Sequence, residues 1–424
     1  PGDFNEDGIM DVLVYYGGRP PLIFIQDTRG FTPHEIIDHR LSWFTAAGAM
    51  ADINNDGHSD LIFGNYYPDG THVFDPESNQ DMQMPHTFSR ANNGGINHIL
   101  LWIGGEKGVP RYREAETSLP LVARRGWTIG VGAADLDNDL KPEIYFANDF
   151  GTDRLLHNRS VQGREQFALL TGVRGFMTPT SKRVGKDSFK GMGIDFADLN
   201  QDGYPDLLVS NIADSFSFME SHFAFFSTGH IEQMMQGIAP YHDVSDQIGL
   251  ARSSWGWDIK AADFNNDGRM EVVQTTGFIK GQRDVWPKLQ EFSLINDELT
   301  THPEFWFPMQ AGDDISGHVH NPFFVQDSSG YYHDLAADLG IGQPFLSRGI
   351  AIADVDGDGD LDFAYANLWE DSYFFRNDSP KPGSFLGLRL LLPVEPSTGF
   401  QVYPGHAVVD GFPAIGASAR VELT

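Results

Sequence analysis

The chain has 424 residues with 29 Lys or Arg against 59 Asp or Glu, giving a formal net charge of −30 at pH 7. So acidic a composition argues against nucleic-acid binding, which needs a basic surface. Hydrophobic residues make up 41%, enough for a large core, and the absence of cysteine excludes disulfides, thiolate metal sites and cysteine catalysis. No apolar run is long enough to predict a transmembrane segment.

Taken in chain order, a nine-residue acidic pattern recurs six times, starting at residues 3, 52, 135, 198, 263 and 354, and we number these segments loops 1 to 6. Positions 1, 3, 5 and 9 carry Asp, Asn or Glu, and position 6 is Gly except in loop 3, where it is Leu140. Oxygen donors at this spacing around a sharp turn suit a hard cation that takes six to eight oxygen ligands. The pattern therefore predicts about six Ca²⁺ sites, in preference to Mg²⁺.

Each predicted site uses side chains at positions 1, 3, 5 and 9 and the backbone carbonyl at position 7. The predicted ligands of the six loops are Asp3, Asn5, Asp7, Ile9 and Asp11; Asp52, Asn54, Asp56, His58 and Asp60; Asp135, Asp137, Asp139, Lys141 and Glu143; Asp198, Asn200, Asp202, Tyr204 and Asp206; Asp263, Asn265, Asp267, Arg269 and Glu271; Asp354, Asp356, Asp358, Asp360 and Asp362. About a third of the acidic residues lie in these loops. We expect altered affinity in loops 3 and 5, where Glu replaces Asp at position 9.

The sequence on either side of the loops excludes EF-hands, because position 12 is never the Glu that an EF-hand requires. Instead, each loop runs into a short β-like stretch, such as 60–64 or 143–147, and strands rich in small residues precede several loops. The repeating unit is strand, loop, strand. The spacing of the loops leaves room for four-stranded blades of roughly 40–50 residues each. An all-β fold, and specifically a β-propeller, is predicted.

The Asp-x-Asn-x-Asp-Gly-x-x-Asp loops followed by apolar strands resemble FG-GAP/VCBS repeats, the calcium-binding propeller repeats of integrin α-subunits. The whole chain is similar to bacterial relatives of cartilage acidic protein, in which a propeller precedes a small β module named ASPIC/UnbV. Segments 385–390 and 414–423 resemble the start of that module. The resemblance implies a propeller over residues 1–380 with seven blades, or six as the alternative, and the start of the module over 381–424. It also implies that the chain is a piece of a longer protein.

Two long links, at about 67–97 and 277–320, join the second and third strands of their blades. We call them the first and second insertions, and we expect both to cap the face opposite the loops. The second contains Trp286, Trp306, Asp313, His318 and His320, which either pack the cap onto the propeller or form a pocket. The two histidines would bind Zn²⁺ or Fe if they faced one side of a strand. The basic stretch 182–190 lies on the same face, as a solvated loop or as a site for an acidic ligand.

No catalytic residue is assigned, because the usual nucleophile, metalloprotease, phosphate-loop and dinucleotide motifs are missing from the sequence. The leading hypothesis is a non-enzymatic, calcium-stabilised propeller that binds a protein or a glycan. Oxygen loops of this kind fill at the high Ca²⁺ found outside cells, which predicts a secreted, periplasmic or cell-surface protein. The alternatives are an enzyme with its active site at the propeller mouth under the second insertion, and a structural subunit of a larger complex.

Overall fold

The computed structural model of the chain describes residues 1–37, 41–75, 77–78, 82–106, 108–116, 118–187, 190–214, 220–380, 383–393, 401–405, 411–417 and 419. Short strands dominate these residues. No helix within the described residues is long and apolar enough to cross a membrane. The longest of these helices has 8 residues. The helices are α1 (Leu121–Arg124), α2 (Ser245–Ile248), α3 (Trp286–Ser293) and α4 (Asp297–Thr300), with short 3₁₀ turns at Thr180–Lys182, Ile231–Gln236 and Pro303–Phe305.

The strands form six successive antiparallel sheets, the blades, each built around one acidic loop. Blade 1 contains β1 (Val12–Val14), β2 (Leu22–Asp27) and β3 (Gly30–Glu35). Blade 2 contains β4 (Thr45–Ala51), β5 (Asp60–Asn65), β6 (His98–Glu106) and β7 (Val109–Glu114). Blade 3 contains β8 (Thr128–Ala134), β9 (Glu143–Asn148), β10 (Arg154–Asn158) and β11 (Phe167–Gly172).

The next segment supplies β12 (Ile194–Ala197), β13 (Asp206–Val209), β14 (Ile212–Ala213), β15 (Phe223–Ser227), β16 (Ile238–Ala239) and β17 (Tyr241–Asp243). Blade 4 takes β12, β13, β15 and β17, whereas β16 pairs with β11 of blade 3 and β14 pairs with blade 5. Blade 5 is built from β18 (Ser254–Ala262), β19 (Glu271–Thr276), β22 (Phe323–Gln326) and β23 (Tyr332–Asp334). Between its second and third strands lie β20 (Arg283–Asp284) and β21 (Asp313–Asp314), a small parallel pair within the second insertion.

Blade 6 contains β24 (Ser347–Ala353), β25 (Asp362–Asn367) and β26 (Tyr373–Phe375). The all-β propeller prediction is confirmed, and the described residues form six blades, the smaller of the two predicted counts, and not seven. Beyond the blades, β27 (Leu391–Pro393) pairs with β28 (Gly411–Pro413). Parts of the segment assigned to an ASPIC/UnbV-like module, at 381–382, 394–400, 406–410, 418 and 420–424, lie outside the described residues, and that module stays a prediction.

The core lies between neighbouring blades and not within any one of them. Apolar clusters fill the spaces between each pair of successive blades, and the second strands β5, β9, β13 and β19 are buried along their whole length. A strand covered on both faces needs apolar residues on both, as Leu61, Ile62 and Phe63 provide. The first strands crowd together, and a Cβ at Gly130 would lie 2.6 Å from the Met192 carbonyl oxygen. The small residues of these strands therefore permit the blades to meet.

Candidate functional site

The six acidic loops share one backbone conformation, in which positions 4 and 6 both have positive φ. At position 6 the values run from 67° to 96°, and at position 4 from 55° to 79°. The sequence predicted the turn at position 6 from its glycines, but position 4 is occupied by Glu, Asn, Gln or Gly and gave no clear signal. Two left-handed residues so close together fold each loop tightly, so that alternate side chains point to the same side.

The first carboxylate of each loop holds that turn in place. In loop 2, Asp52 Oδ1 accepts the Asp56 N–H at 3.0 Å and Asp52 Oδ2 accepts the Gly57 N–H at 2.8 Å. Loops 1, 3, 4 and 5 repeat both contacts, and loop 6 repeats the second. The side chains at positions 3 and 5 join the same network, since Asn54 Nδ2 donates to Asp56 Oδ2 at 2.8 Å. The predicted ligands at positions 1, 3 and 5 are thus neighbours in space.

Acidic ligand atoms converge tightly in two of the loops. In the described residues, carboxylate oxygens of Asp135, Asp137 and Asp139 all lie within 4.8 Å of one another, and so do those of Asp354, Asp356 and Asp358. At position 7, where a carbonyl ligand is predicted, the N–H of every loop donates to the position-5 carboxylate. The donors present fit a hard divalent cation: they are oxygens, several are anionic, and they face one another at short range.

The position-9 carboxylate is buried and ties its loop to the blade. Asp60 accepts the Ile53 N–H at 3.0 Å with one oxygen and the Trp102 N–H, from β6, at 2.8 Å with the other. In loops 1, 3, 4 and 6 the position-9 carboxylate likewise accepts one backbone N–H from position 2 and one from farther along the blade. In loop 5, Glu271 keeps the bond to position 2, but its second donor is the Asn265 side chain. The longer Glu143 and Glu271 therefore still reach the position-2 amide. Position 9 has a structural role in addition to the predicted ligand role.

Burial makes the position-9 groups of loops 2 to 5 reluctant to ionise. Desolvation raises the pKa of Asp60 and Asp206 to about 7, that of Glu271 to about 7 and that of Glu143 to about 8. Other carboxylates of the same loop raise the pKa further, because like charges a few ångströms apart repel. A bound divalent cation would supply the opposite charge and favour the ionised form.

Loop 3 differs from the others in its neighbours as well as in its turn. His157 of β10 places Nε2 3.1 Å from Asp137 Oδ2, and its Nδ1 accepts Arg159 Nε at 3.2 Å. Within the loop, Lys141 Nζ lies 3.0 Å from Asp139 Oδ2. Two of the predicted ligands are therefore already paired with protein donors. His157 was not predicted, because it lies on another strand and no spacing rule connects it to the loop.

Replacing Leu140 by glycine is expected to stabilise the protein by about 1 kcal/mol, because Leu140 has a φ of 67° in a region costly for residues with a Cβ. The matched reverse change is Gly203→Ala in loop 4, where φ is 88° and no atom lies within 4 Å of an added Cβ. Gly203→Ala should lower the free energy of unfolding by a similar amount, through its effect on the backbone alone. Urea unfolding at fixed Ca²⁺ measures both, and equal stabilities for Leu140→Gly and the parent chain would contradict the expectation.

On the opposite side of the blades from these loops, a cavity of about 430 Å³ lies where the two insertions meet. Tyr67, Met84 and Phe88 line it from the first insertion, and Phe292 and Trp306 line it from the second. Blade residues close the remaining walls: Tyr66, Trp127, Ile129, Phe150, Ile212, Trp255 and Trp257. Residues from blades 2, 3 and 5 therefore line one aromatic cavity together with the two insertions.

Ring contacts hold the walls of this cavity together. Trp306 lies 4.8 Å from Phe292 and 5.8 Å from both Phe88 and Phe150 between ring centroids, so one indole bridges both insertions and blade 3. Its Nε1 donates to the Thr300 carbonyl at 2.8 Å. That bond fixes the plane of the ring and satisfies its only polar atom. Trp306 is therefore held in place before any ligand arrives.

Among the described residues that line this aromatic space, two are charged, Asp149 and Lys190. The Tyr66 hydroxyl donates to Asp149 Oδ2 at 2.5 Å, and burial raises the pKa of Asp149 to about 6. The Lys190 side chain is only 1% exposed, and burial lowers the pKa of its amine to about 7. The sequence interpretation of 182–190 as a solvated basic loop is therefore wrong at Lys190. Acidic and basic side chains whose pKa values are shifted, lying in one cavity, are typical of functional sites.

Of the five residues predicted for a site in the second insertion, one lines the cavity, Trp306. His318 and His320 do not lie on a strand and do not act together. Nε2 of His318 contacts Asp314 at 3.2 Å, and Nε2 of His320 contacts Asp334 at 2.6 Å. The paired-histidine metal hypothesis is therefore not supported by the geometry. Trp286 is buried beside Trp255, and Asp313 pairs with Arg283 at 2.7 Å, so both stabilise the cap.

Asp153, which precedes β10, and Asp187 form a pair of buried acids. Asp153 accepts the Asn148 N–H at 2.7 Å and the Tyr145 hydroxyl at 2.8 Å, and its carboxyl group acts electrostatically on that of Asp187. Burial raises the pKa of both carboxyl groups, and their mutual repulsion raises that of Asp187 further. Two neighbouring carboxyl groups cannot both ionise at low cost, although the nearby Arg154 charge lowers the pKa of both.

Asp187→Asn is expected to stabilise the protein by about 1–3 kcal/mol at pH 8 and to change little at pH 4. Because the folded-state pKa values are raised, the parent chain is most stable below the unfolded pKa and loses stability as pH rises through the folded values. The amide introduced at position 187 does not ionise, so the variant avoids this loss of stability as the pH rises. Asp378→Asn, whose carboxylate is exposed, is the control. Urea unfolding across this pH range tests the idea, which fails if both variants show the same pH dependence as the parent.

The comparisons with known proteins agree with this fold. A sequence profile described as an FG-GAP-like repeat matches residues 3–63 and 135–209, a region that contains loops 1 to 4. The chain therefore carries FG-GAP-like repeats in a β-propeller. No curated protein matches the chain at a significant level. The similarity to the cartilage-acidic-protein relatives stays a prediction.

Two solved structures show a distant likeness. One is of an Agrocybe aegerita lectin, described for its specific recognition of non-reducing terminal N-acetylglucosamine; it shares 14% identity at a TM-score of 0.44, covering 90% of this chain and 77% of the lectin. The other is of the V. cholerae biofilm matrix protein Bap1, with 16% identity, a TM-score of 0.28, and coverage of 83% of this chain and 42% of Bap1. At such TM-scores neither bears on the ligand of this chain.

Proposed function

We propose that this protein is a calcium-stabilised, extracytoplasmic β-propeller that binds a small, largely apolar molecule in the cavity under its cap. The observation that carries the proposal is the cavity itself: about 430 Å³, walled by aromatic side chains from both insertions and three blades. Ligand sites of small molecules are concave, mostly apolar and of this size, with a few placed polar groups. Asp149 and Lys190 supply such groups here.

The calcium part of the proposal is supported by the donor geometry of the loops. Three acidic side chains converge in loop 3 and three in loop 6, and all six loops repeat one backbone turn. Bound ions would offset the repulsion among these carboxylates and so stabilise the inter-strand turns. Oxygen sites in exposed loops commonly fill at the Ca²⁺ levels found outside cells, which supports a secreted, periplasmic or surface location.

The composition of the cavity wall favours an apolar ligand over a sugar. A glycan needs a hydrogen-bond partner for most of its hydroxyls, because an unmatched polar group loses its bonds to water on burial. Most lining residues are instead aromatic or aliphatic, and the Trp127, Trp257 and Trp306 indole N–H groups already donate to protein oxygens. The protein or glycan partner and the subunit role suggested by the sequence stay predictions.

A second candidate function is an enzyme with its active site in the same cavity. The observation that favours it is the presence there of a carboxyl group with a raised pKa, a hydrogen-bonded tyrosine hydroxyl and an amine with a lowered pKa. Groups tuned in this way are able to exchange protons near neutral pH. The site lies under both insertions, close to the place where the sequence alternative put it, but of the five residues named there Trp306 alone lines it.

The binding proposal is tested with N-phenyl-1-naphthylamine, a neutral aromatic dye whose emission rises in apolar surroundings. We expect saturable binding of one dye per folded chain, with quenching of tryptophan emission because Trp127, Trp255 and Trp306 line the cavity. Naphthalene, which is non-fluorescent at the dye's wavelengths, should displace it. Linear, non-saturating uptake, or a stoichiometry well above one, would overturn the proposal by showing surface adsorption.

A further inference from the structure

Three aromatic rings in the cavity wall stand at right angles to one another. The planes of Tyr66 and Tyr67 cross at 87°, with 4.9 Å between the ring centroids. Trp127 meets Tyr66 at 83° and Tyr67 at 80°, with centroids 5.2 and 5.9 Å away. All three residues line the cavity, and Tyr66 and Tyr67 are partly exposed. Because the three planes are mutually perpendicular, a group that enters this corner from any side meets the face of at least one ring.

Asp149 adds negative charge to this corner. The residue is partly exposed and lines the cavity, and its Oδ2 accepts the Tyr66 hydroxyl at 2.5 Å. Within the part of the chain that the structure describes, its Oδ1 accepts no hydrogen bond. An uncharged acceptor such as an amide oxygen would hold the Tyr66 hydroxyl at a lower desolvation cost. The carboxylate therefore offers an anionic oxygen that the fold itself does not need.

The charges around Asp149 leave its carboxylate only partly balanced. Of the described charged groups, Lys190 is the cation that acts on Asp149, but its buried amine also faces Glu220 at 3.9 Å. Two carboxylates thus share one amine. Burial raises the pKa of Asp149 to about 6, and the Tyr66 hydrogen bond and the Lys190 charge offset that rise only in part. A cation in the cavity would supply the missing charge.

Two other rings of the cavity lining already contact cations of the protein itself. Arg348 Cζ lies 4.1 Å from the centroid of the Trp257 ring, and Lys288 Nζ lies 5.5 Å from that of Phe307. A cationic ligand at either ring would meet one of these charges. The corner that contains Asp149 is therefore the favoured place for a cation within this cavity.

We infer that this corner is an aromatic cage for a small, soluble organic cation, in which a quaternary ammonium group is attached to an apolar body. The methyl groups of such a cation carry its charge onto the ring faces of Tyr66, Tyr67 and Trp127, and the Asp149 carboxylate balances it. The nitrogen has no hydrogen and needs no acceptor, which suits walls that are mostly aromatic or aliphatic. The apolar body occupies the rest of the cavity. This inference names a ligand class for the binding function proposed above and rests on that function.

A cavity whose rings only pack against one another would select differently. If Asp149 did no more than hold the Tyr66 hydroxyl, the cavity would prefer a neutral molecule over a cation of the same shape, because the cation loses more hydration free energy on entering an apolar space. Phenyltrimethylammonium and tert-butylbenzene are such a pair. They have the same shape, and they differ in a charged nitrogen against a neutral carbon.

The test titrates each of these two probes into the Ca²⁺-loaded chain with bound N-phenyl-1-naphthylamine, at pH 8 and an ionic strength of about 0.15 M, which screens the acidic surface. We expect phenyltrimethylammonium to displace the dye at about tenfold lower concentration than tert-butylbenzene. Asp149→Asn should weaken phenyltrimethylammonium binding about tenfold or more and leave tert-butylbenzene binding unchanged. Asp378→Asn removes the same charge from an exposed position and should change neither.

Tyr67→Leu examines the ring separately from the charge, and it serves alone if Asp149→Asn folds poorly. Leucine keeps an apolar side chain but has no ring face. We expect this variant to bind phenyltrimethylammonium about threefold or more weakly, with a smaller change for tert-butylbenzene.

The results separate this inference from the proposal beneath it. If tert-butylbenzene displaces the dye from the parent chain at an equal or lower concentration than phenyltrimethylammonium, the cation inference is overturned and the binding function stands. Unchanged phenyltrimethylammonium affinity in both Asp149→Asn and Tyr67→Leu overturns it as well, because the cation then binds elsewhere. If neither the dye nor phenyltrimethylammonium binds, both proposals fall.

A membrane surface presents the same trimethylammonium group on its phosphatidylcholine headgroups. Because both insertions cover the cavity, we expect the chain not to sediment with phosphatidylcholine vesicles. Sedimentation that phenyltrimethylammonium prevents would assign the cage to a lipid headgroup and overturn its assignment to a soluble ligand.

Discussion

Removing Ca²⁺ with a chelator is expected to lower the melting temperature by about 10 °C. A site filled at tenfold its dissociation constant stabilises the folded state by about 1.4 kcal/mol, so six loops together contribute about 8 kcal/mol. For a chain of this length the entropy of unfolding converts that loss into a shift of about 10 °C. The physical cause is local: each empty loop crowds three or four carboxyl groups around one turn, and its buried position-9 acid is held away from water.

Differential scanning calorimetry in 5 mM Ca²⁺ and in excess chelator measures this shift. Mg²⁺ added at the same concentration should recover little of it, because Mg²⁺ demands octahedral geometry and gives up its waters reluctantly. A matched pair of variants isolates one loop: Asp56→Ala removes a predicted ligand of loop 2, and Asp378→Ala removes an exposed carboxylate outside the loops. Asp56→Ala should lose about one sixth of the calcium effect, and Asp378→Ala none. Superimposable melting curves with and without chelator would contradict the calcium proposal.

Trp306→Ala is expected to weaken dye binding by about 10- to 100-fold, equivalent to about 1.4–3 kcal/mol. The indole contacts the first insertion, the second insertion and blade 3, so truncating it removes a large aromatic surface and opens the wall shared by these elements. The fold should survive, because the cores between blades do not include Trp306.

Phe305→Ala is the matched control for that variant. Phe305 precedes Trp306 in the sequence, is 51% exposed and does not line the cavity. It should bind the dye as the parent chain does. Circular dichroism and the calcium-dependent melting temperature verify that both variants keep the propeller. Equal affinities for Trp306→Ala and the parent would show that the dye binds elsewhere.

The sequence predicted those parts of the molecule that repeat. Carboxylates at positions 1, 3, 5 and 9 are visible six times in the same register, and the apolar stretch after each loop predicts the buried second strand of a blade. Leu140 was recognised as a departure because a glycine was expected there, and its φ of 67° confirms the unusual backbone. The structural role of position 9 was not predicted, because the bond from Trp102 to Asp60 depends on which strand lies third in the blade.

The cavity could not be predicted in the same way. Tyr66, Phe150, Trp255 and Trp306 belong to four separate segments, and only the circular order of the blades brings them together. Each one alone is as consistent with packing as with binding. Lys190 appeared to be part of a basic loop, since charge usually indicates solvent exposure. Its burial depends on a turn anchored to the end of β9, and no local pattern encodes that contact.

A crystal structure of the chain grown in millimolar Ca²⁺ and soaked with N-phenyl-1-naphthylamine tests the central claim most directly, because it examines both faces of the propeller at once. The proposal predicts an ion coordinated by oxygens of positions 1, 3, 5, 7 and 9 in the loops, and one dye molecule between Trp306 and Lys190 on the opposite face. Loops without bound ions, together with a cavity filled by its own side chains, would contradict it.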